Sequence, residues 1–287
     1  MQVTEPLRVA FSPDSDDIFM FWALLEGKVP REGLAFDASR ADTETLNARA
    51  EQGDVDVVAV SIAQYARVAR DYLLLPHGMS VGRDYGPVVV ANAPTTLAAL
   101  RGKRIGVPGL RTTAYMVLRL LAPEFEPVVV PISPYARAFE VLKAGEVDAA
   151  LLIHEGRLTY EREGVHRVVD LGEAWAAETG GLPLPLGGNA IRRGLGSDVI
   201  ARASQAIRGS IRWALDHKDE VARALLERET RADLALDAAT LDRYLDMYAN
   251  EDTADAADDT RRAIEELFRR ARARGLLAED ATLEYAP

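Results

Sequence analysis

Apolar residues in this chain come in short runs separated by stretches of helical spacing, and the alternation persists over the first two thirds of its length. That rhythm predicts βαβ units and a mainly parallel sheet. The run LRVAFS (7–12) reads as a strand, and DDIFMFWALLEG (16–27) as a buried helix closed by Gly27. LAFDAS (34–39) predicts the next strand, and DTETLNARAEQG (42–53) a helix capped by Asp42 or Thr43 and ended by Gly53. A strand over 55–60 then feeds a loop at Ser61 and another helix, with further strands over 87–92, 103–107, 127–132 and 147–153. From about residue 196 the pattern turns helical, in SDVIARASQAIRGSIRWALDHKDEVARALLERE and DDTRRAIEELFRRARARG.

Two phrases resemble one another. Gly53-Asp54-Val55-Asp56 aligns with Gly145-Glu146-Val147-Asp148, which brings the following strands into register and sets Ser61 and Ile62 opposite Ile153 and His154. A helix-ending glycine before a buried strand is common in α/β proteins, so coincidence is one reading. The other is that two lobes each bring an equivalent strand end to a shared site, where such folds bind ligands. The chain is predicted to leave one lobe after the strand at 87–92 and to return through the Gly/Pro-rich GGLPLPLGG (180–188). The expected division is a larger lobe of 1–95 and 187–287 and a smaller lobe of 96–186. A double crossover of this kind encloses a cleft suited to hinge closure on a small ligand.

With 287 residues, 48% of them hydrophobic and 28% charged, the chain has the profile of a globular protein with ample core. A net charge of −11 argues against nucleic acid as partner, while a locally positive site for an anionic small molecule stays open. The absence of cysteine rules out disulfides and thiolate metal sites. No export signal is read in MQVTEPLRVAFSPDSDD, no apolar stretch has spanning length, and no basic amphipathic helix suggests membrane anchoring. A cytoplasmic protein with no membrane partner is expected.

Candidate chemistry is sparse: there is no P-loop, dinucleotide fingerprint, HExxH or GxSxG. In GVPGLRTTAYMVLRLL (106–121) a strand ends in a Pro-Gly turn and Thr112 or Thr113 caps an apolar helix. Its free N–H groups and threonine hydroxyls suit a carboxylate, although plain capping explains them too. Asp14, Ser15, Asp16 and Asp17 crowd another helix start, where a solvated cap is the simpler reading and a metal is not indicated. Among four histidines, His154 follows four apolar residues at a strand end in LLIHEGRLTY and is the best general-base candidate. An edge-of-core histidine is the plainer alternative. His77 is weaker, and His166 and His217 read as surface positions. Glu155 would need a turn in the backbone to orient His154 or a substrate.

FSPDSDDIFMFWAL, DTETLN, VPGLRTTAYMVL, IHEGRLTYEREGVHRVVDLGEAW and TGGLPLPLG, in this order over about 7–195, resemble the 1,4-dihydroxy-6-naphthoate synthase family of the futalosine route to menaquinone. The resemblance implies an α/β, two-lobed type II periplasmic-binding-protein-like fold with a ligand cleft between the lobes and a helical C-terminal part. It implies a cofactor-free lyase that cleaves cyclic dehypoxanthinyl futalosine to 1,4-dihydroxy-6-naphthoate. The family's catalytic histidine falls on His154, and its substrate-binding positions on Ser61, Thr112 and Thr113, with Ala59, Val60 and Ser12 completing the set. Ala59 stands where a lysine is common, leaving Arg111 as a candidate replacement cation, and SPDSDD replaces a cysteine-proline-asparagine pattern. Chorismate dehydratase of the same pathway, or a non-catalytic binder of small carboxylates, would share the fold.

Overall fold

The computed structural model describes residues 5–122, 124–132, 134, 136–228 and 237–287. The first four residues of the opening and Glu229 of the first long helical stretch lie outside them. The strands are β1 (Leu7–Phe11), β2 (Phe36–Arg40), β3 (Val57–Ser61), β4 (Tyr72–Leu74), β5 (Ser80–Gly82) and β6 (Val88–Ala91). They continue with β7 (Arg104–Val107), β8 (Glu126–Val129), β9 (Ala149–Leu152), β10 (His166–Asp170) and β11 (Leu184–Arg192). One sheet has the order β2-β1-β3-β11-β4 with β5 also on β11, and the other the order β10-β6-β9-β7-β8.

Both sheets are mixed, where the apolar rhythm predicted mainly parallel pairing. β1 pairs in parallel with β2 and β3, but β11 runs antiparallel to β3, β4 and β5. In the second sheet β7 is parallel to β8 and β9, while β6 is antiparallel to β9 and β10. The reason is the double crossover: a chain that leaves one sheet and re-enters it from the far end meets its neighbours head to tail. Edge strand β8 tolerates Pro127, whose missing N–H would break a central ladder.

Because β6 belongs to the second sheet and β11 to the first, the chain changes sheets between Gly82 and Val88 and again before Leu184. The first crossing is earlier than the expected boundary at 95. There the backbone packs so tightly that a Cβ on Gly172 would sit 2.0 Å from the Tyr85 carbonyl.

The internal repeat is structural. Gly53 and Gly145 both adopt left-handed φ, at 69° and 71°. Asp56 then accepts from the Arg8 N–H at 2.9 Å, and Asp148 from the Arg104 N–H at 2.9 Å, tying β3 to β1 and β9 to β7. The same Gly-acid-Val-Asp corner therefore starts the central strand of each lobe and delivers its C-terminal end to the cleft.

Helices α1 (Ser15–Leu25), α2 (Thr43–Gln52) and α3 (Ile62–Val68) flank the first sheet, and α4 (Thr113–Leu121), α5 (Ala136–Lys143), α6 (Gly156–Thr159) and α7 (Leu171–Thr179) the second. The C-terminal part is helical as expected: α8 (Ser197–Asp216), α9 (Lys218–Arg228), α10 (Ala238–Tyr248), α11 (Glu251–Ala254) and α12 (Asp258–Ala273). It returns to the first lobe, where α8 packs on α1 and the Ser210 hydroxyl bridges the Met20 carbonyl and the Leu24 N–H. Among the described residues no helix is long and apolar enough to cross a membrane.

Candidate active site

The strand ends and helix starts of both lobes meet around a cleft of about 730 Å³, part of it open to solvent. Ser12, Ala59, Val60, Ser61, Thr112, Thr113 and His154 all line it, whereas His77, Arg111 and Glu155 do not. Sequence reasoning missed Thr43, Ser80, Tyr244 and Tyr248, which also line it. A cap signal marked Thr43, whereas nothing in the helical period of the C-terminal part separates Tyr244 from an ordinary core tyrosine.

His154 follows β9 with φ of 49°, a left-handed conformation that is strained for a residue other than glycine. Its Nε2 lies 3.1 Å from the Thr43 hydroxyl, and its Nδ1 lies 3.4 Å from Asp14 Oδ2 and 3.5 Å from the Tyr244 hydroxyl. The side chain keeps 21% exposure, toward the cleft. The other histidines do different things. His77 is fully buried against Ser204, and burial pushes it down to about 4, so it stays neutral. His166 opens β10, and His217 stacks on Trp213.

Glu155 reaches across the cleft to the first lobe. It is completely buried, and its Oε1 accepts from the Ser15 N–H at 3.1 Å and the Ser15 hydroxyl at 2.8 Å, at the N-terminus of α1 in the other lobe. The aspartate cluster is not a solvated cap. Asp14, Asp16 and Asp17 are all buried, with Asp16 accepting from Ser80 and Tyr244 and Asp17 from the Ser12 N–H. Burial, added to by neighbouring acids, raises Asp16 above the usual carboxylate range and Asp17 well above it. The helix-dipole reading failed because it took the helix start as exposed, while β5 and α10 cover it.

The start of α4, expected from the sequence to suit a carboxylate, is built differently from that reading. Thr112 is the cap of α4: its hydroxyl accepts from the Tyr115 N–H at 3.2 Å and donates to the Gly109 carbonyl at 2.9 Å. Thr113 donates to the Leu186 carbonyl at 2.6 Å and accepts from the Ala63 N–H at 3.1 Å. Both hydroxyl protons are therefore committed, and the donors that α4 offers are the N–H groups of its first residues, Thr113 and Ala114. Ser61 keeps its proton for the cleft, because Asn47 Nδ2 donates to its oxygen at 3.1 Å while Asn47 Oδ1 takes its N–H at 3.0 Å. Asn47, buried below the cleft, was not recognised from the sequence.

Among the described residues no lysine or arginine lines the cleft. Arg111 does not replace the missing cation, since its guanidinium is held by Glu44 and Glu51 of α2, each at 3.0 Å. The donors that the lining residues present to the cleft are hydroxyl and backbone N–H groups. Among the described residues no group of metal-binding side chains is assembled.

A family model described as menaquinone biosynthesis matches residues 7–273. The chain is 42% identical over 274 residues to the 1,4-dihydroxy-6-naphthoate synthase of Thermus thermophilus, covering 96% of this chain and 97% of that one. It is 38% identical over 276 residues to the enzyme of that name from Streptomyces coelicolor, covering 95% of each. Among solved structures, protein AF1704 of Archaeoglobus fulgidus superposes with a TM-score of 0.88 at 39% identity, covering 96% of this chain and all of that one. A Candida albicans protein described as having the generic periplasmic binding protein fold gives a TM-score of 0.66 at 15% identity, covering 99% of both, a likeness of fold alone. The two-lobed architecture is thus that of periplasmic binding proteins, and the chain belongs to the 1,4-dihydroxy-6-naphthoate synthase family of menaquinone-biosynthesis enzymes.

Proposed function

We propose that the protein is a carbon-carbon lyase that cleaves cyclic dehypoxanthinyl futalosine to 1,4-dihydroxy-6-naphthoate, with His154 as general base. The observation that carries this reading is a single imidazole at the end of β9, facing a cleft whose other wall offers hydroxyl and backbone donors but, among the described residues, no cation. The substrate carboxylate would lie against the Ser61 hydroxyl and the N-terminal N–H groups of α4. Imidazole Nε2 would take the carbon-bound proton, leaving the electron pair as enol-like charge that expels the attached fragment as the ring aromatises. A positioned base of this kind contributes about 10²- to 10⁴-fold, and closure of the lobes excludes water from the charge that develops. The reading is of a cytoplasmic enzyme acting on a small anionic substrate, in keeping with a net charge of −11 that disfavours nucleic acid.

The test is incubation of the purified protein with cyclic dehypoxanthinyl futalosine, without added metal, following 1,4-dihydroxy-6-naphthoate by mass spectrometry. Wild type should form product. His154→Ala should lose about 10²-fold or more in kcat while still binding substrate in calorimetry. Undiminished turnover in His154→Ala would remove the assigned base, and no product from folded wild type would remove the substrate.

A further inference from the structure

His154 and Glu155 leave β9 together, and both reach across to the first lobe. His154 meets Thr43 at the start of α2 and Asp14 at the start of α1, and Glu155 meets Ser15, the residue after Asp14. The two contacts therefore engage neighbouring residues on each side of the cleft, and making one brings the other into place.

The chemistry at Nδ1 is asymmetric with that at Nε2. Nδ1 faces a carboxyl oxygen of Asp14 and the Tyr244 oxygen, whose hydroxyl donates to Asp16 at 2.9 Å. A ring nitrogen between two acceptors carries the hydrogen. Nε2 faces the Thr43 hydroxyl, which donates as readily as it accepts, and lies on the cleft side.

We infer that Asp14 is a positioning residue that completes His154 as a base across the cleft, and that the Glu155–Ser15 contact is the latch holding the pair in register. Asp14 keeps the hydrogen on Nδ1, so the lone pair on Nε2 points at substrate. After proton abstraction the substrate's proton sits on Nε2, the electron pair remains on the substrate carbon, and the imidazolium charge faces Asp14. The base is complete only when the lobes are closed, because its two halves belong to different lobes. The left-handed backbone of His154 fits this picture, since the cross-lobe contacts hold a conformation the isolated turn would not favour. The inference rests on His154 being the base.

The deciding experiment reads the imidazole without needing turnover. Long-range proton–nitrogen spectra of protein labelled at the histidine rings, with His154→Ala assigning the resonance, should show wild-type His154 with its hydrogen on Nδ1. In Asp14→Asn, whose amide also donates, the population should move toward hydrogen on Nε2, and kcat should fall about 10²-fold with KM within a few-fold. Glu155→Ala should show the same tautomer change and a loss in kcat, and Glu155→Gln, which keeps an acceptor oxygen, a smaller one. A wild-type tautomer with hydrogen on Nε2, or Asp14→Asn with tautomer and kcat both unchanged, overturns the inference. If Asp14→Asn does not fold, the wild-type tautomer and the Glu155 pair decide. An Asp14-dependent tautomer in a protein that does not turn over the proposed substrate would instead overturn the substrate and leave the pair standing.

Discussion

The candidate site is made from side chains whose available donors and acceptors follow from which of their atoms are already engaged. Ser61 is the clearest case, because Asn47 occupies both its N–H and its oxygen. Asn47→Ala should leave a buried N–H without its partner, costing about 1–3 kcal/mol in urea unfolding, and should raise KM more than it lowers kcat. An unchanged KM would show that Ser61 does not need Asn47. His77 makes a prediction of opposite character, about acid and stability. Burial depresses it from 6.5 to about 4, so between these values the unfolded chain binds a proton that the folded one does not. Its contribution is full above pH 6.5 and is lost as pH falls through that window, by about 3 kcal/mol at 1.4 kcal/mol per unit. Urea unfolding at pH 7 and pH 4 should show a smaller acid loss in His77→Gln than in wild type. Asp16 and Asp17, raised by burial, act in the other direction and cancel in that comparison. Equal losses in both proteins would refute the assignment.

Elements aim these residues through their ends. Asp42 caps α2 by accepting from the N–H groups of Glu44 and Thr45, and so fixes where Thr43 meets His154. Thr112 does the same for α4, and the paired Asp56 and Asp148 corners set the register of β3 and β9. The crossing at Tyr85 is equally constrained, with Gly172 at the start of α7 pressed on its backbone. Gly172→Ala must push two main chains apart, and we expect a loss of about 3 kcal/mol in unfolding experiments. A neutral Gly172→Ala would mean that the crossing yields at no cost. Cap residues and turn glycines were legible in the sequence because they act on their own local backbone. Pairing direction was not, because β11 finds its neighbours only after the second lobe has been built.

At the scale of the molecule, the two lobes are held closed by contacts that cross the cleft. Glu155 to Ser15 is buried, whereas Arg111 to Glu44 and Glu51 is half-exposed. Half-exposed pairs contribute about 0–1 kcal/mol each and are screened by salt. Arg111→Ala, which removes both pairs, should therefore raise KM by no more than about 30-fold, for about 2 kcal/mol in all, and high salt should do the same to wild type but not to the variant. Small-angle scattering should show a larger radius of gyration for the unliganded variant. A variant as compact as wild type, with unchanged KM, would show that this pair plays no part in closure.

The sequence by itself determined the two-lobed α/β plan, the strand and helix ends that bear the site, the family motifs and the prominence of His154. Each of these is written in local periodicity, capping chemistry or a contiguous motif, so neighbouring residues suffice to express it. Only the tertiary structure decided that three aspartates are buried, that Glu155 belongs to the opposite lobe, that both threonine hydroxyls are spent, and that Tyr244 reaches His154 from 90 residues away. Those outcomes depend on which distant segment comes within hydrogen-bond distance. A hydrophobic pattern says which face of an element turns inward, but not which side chain it will meet there.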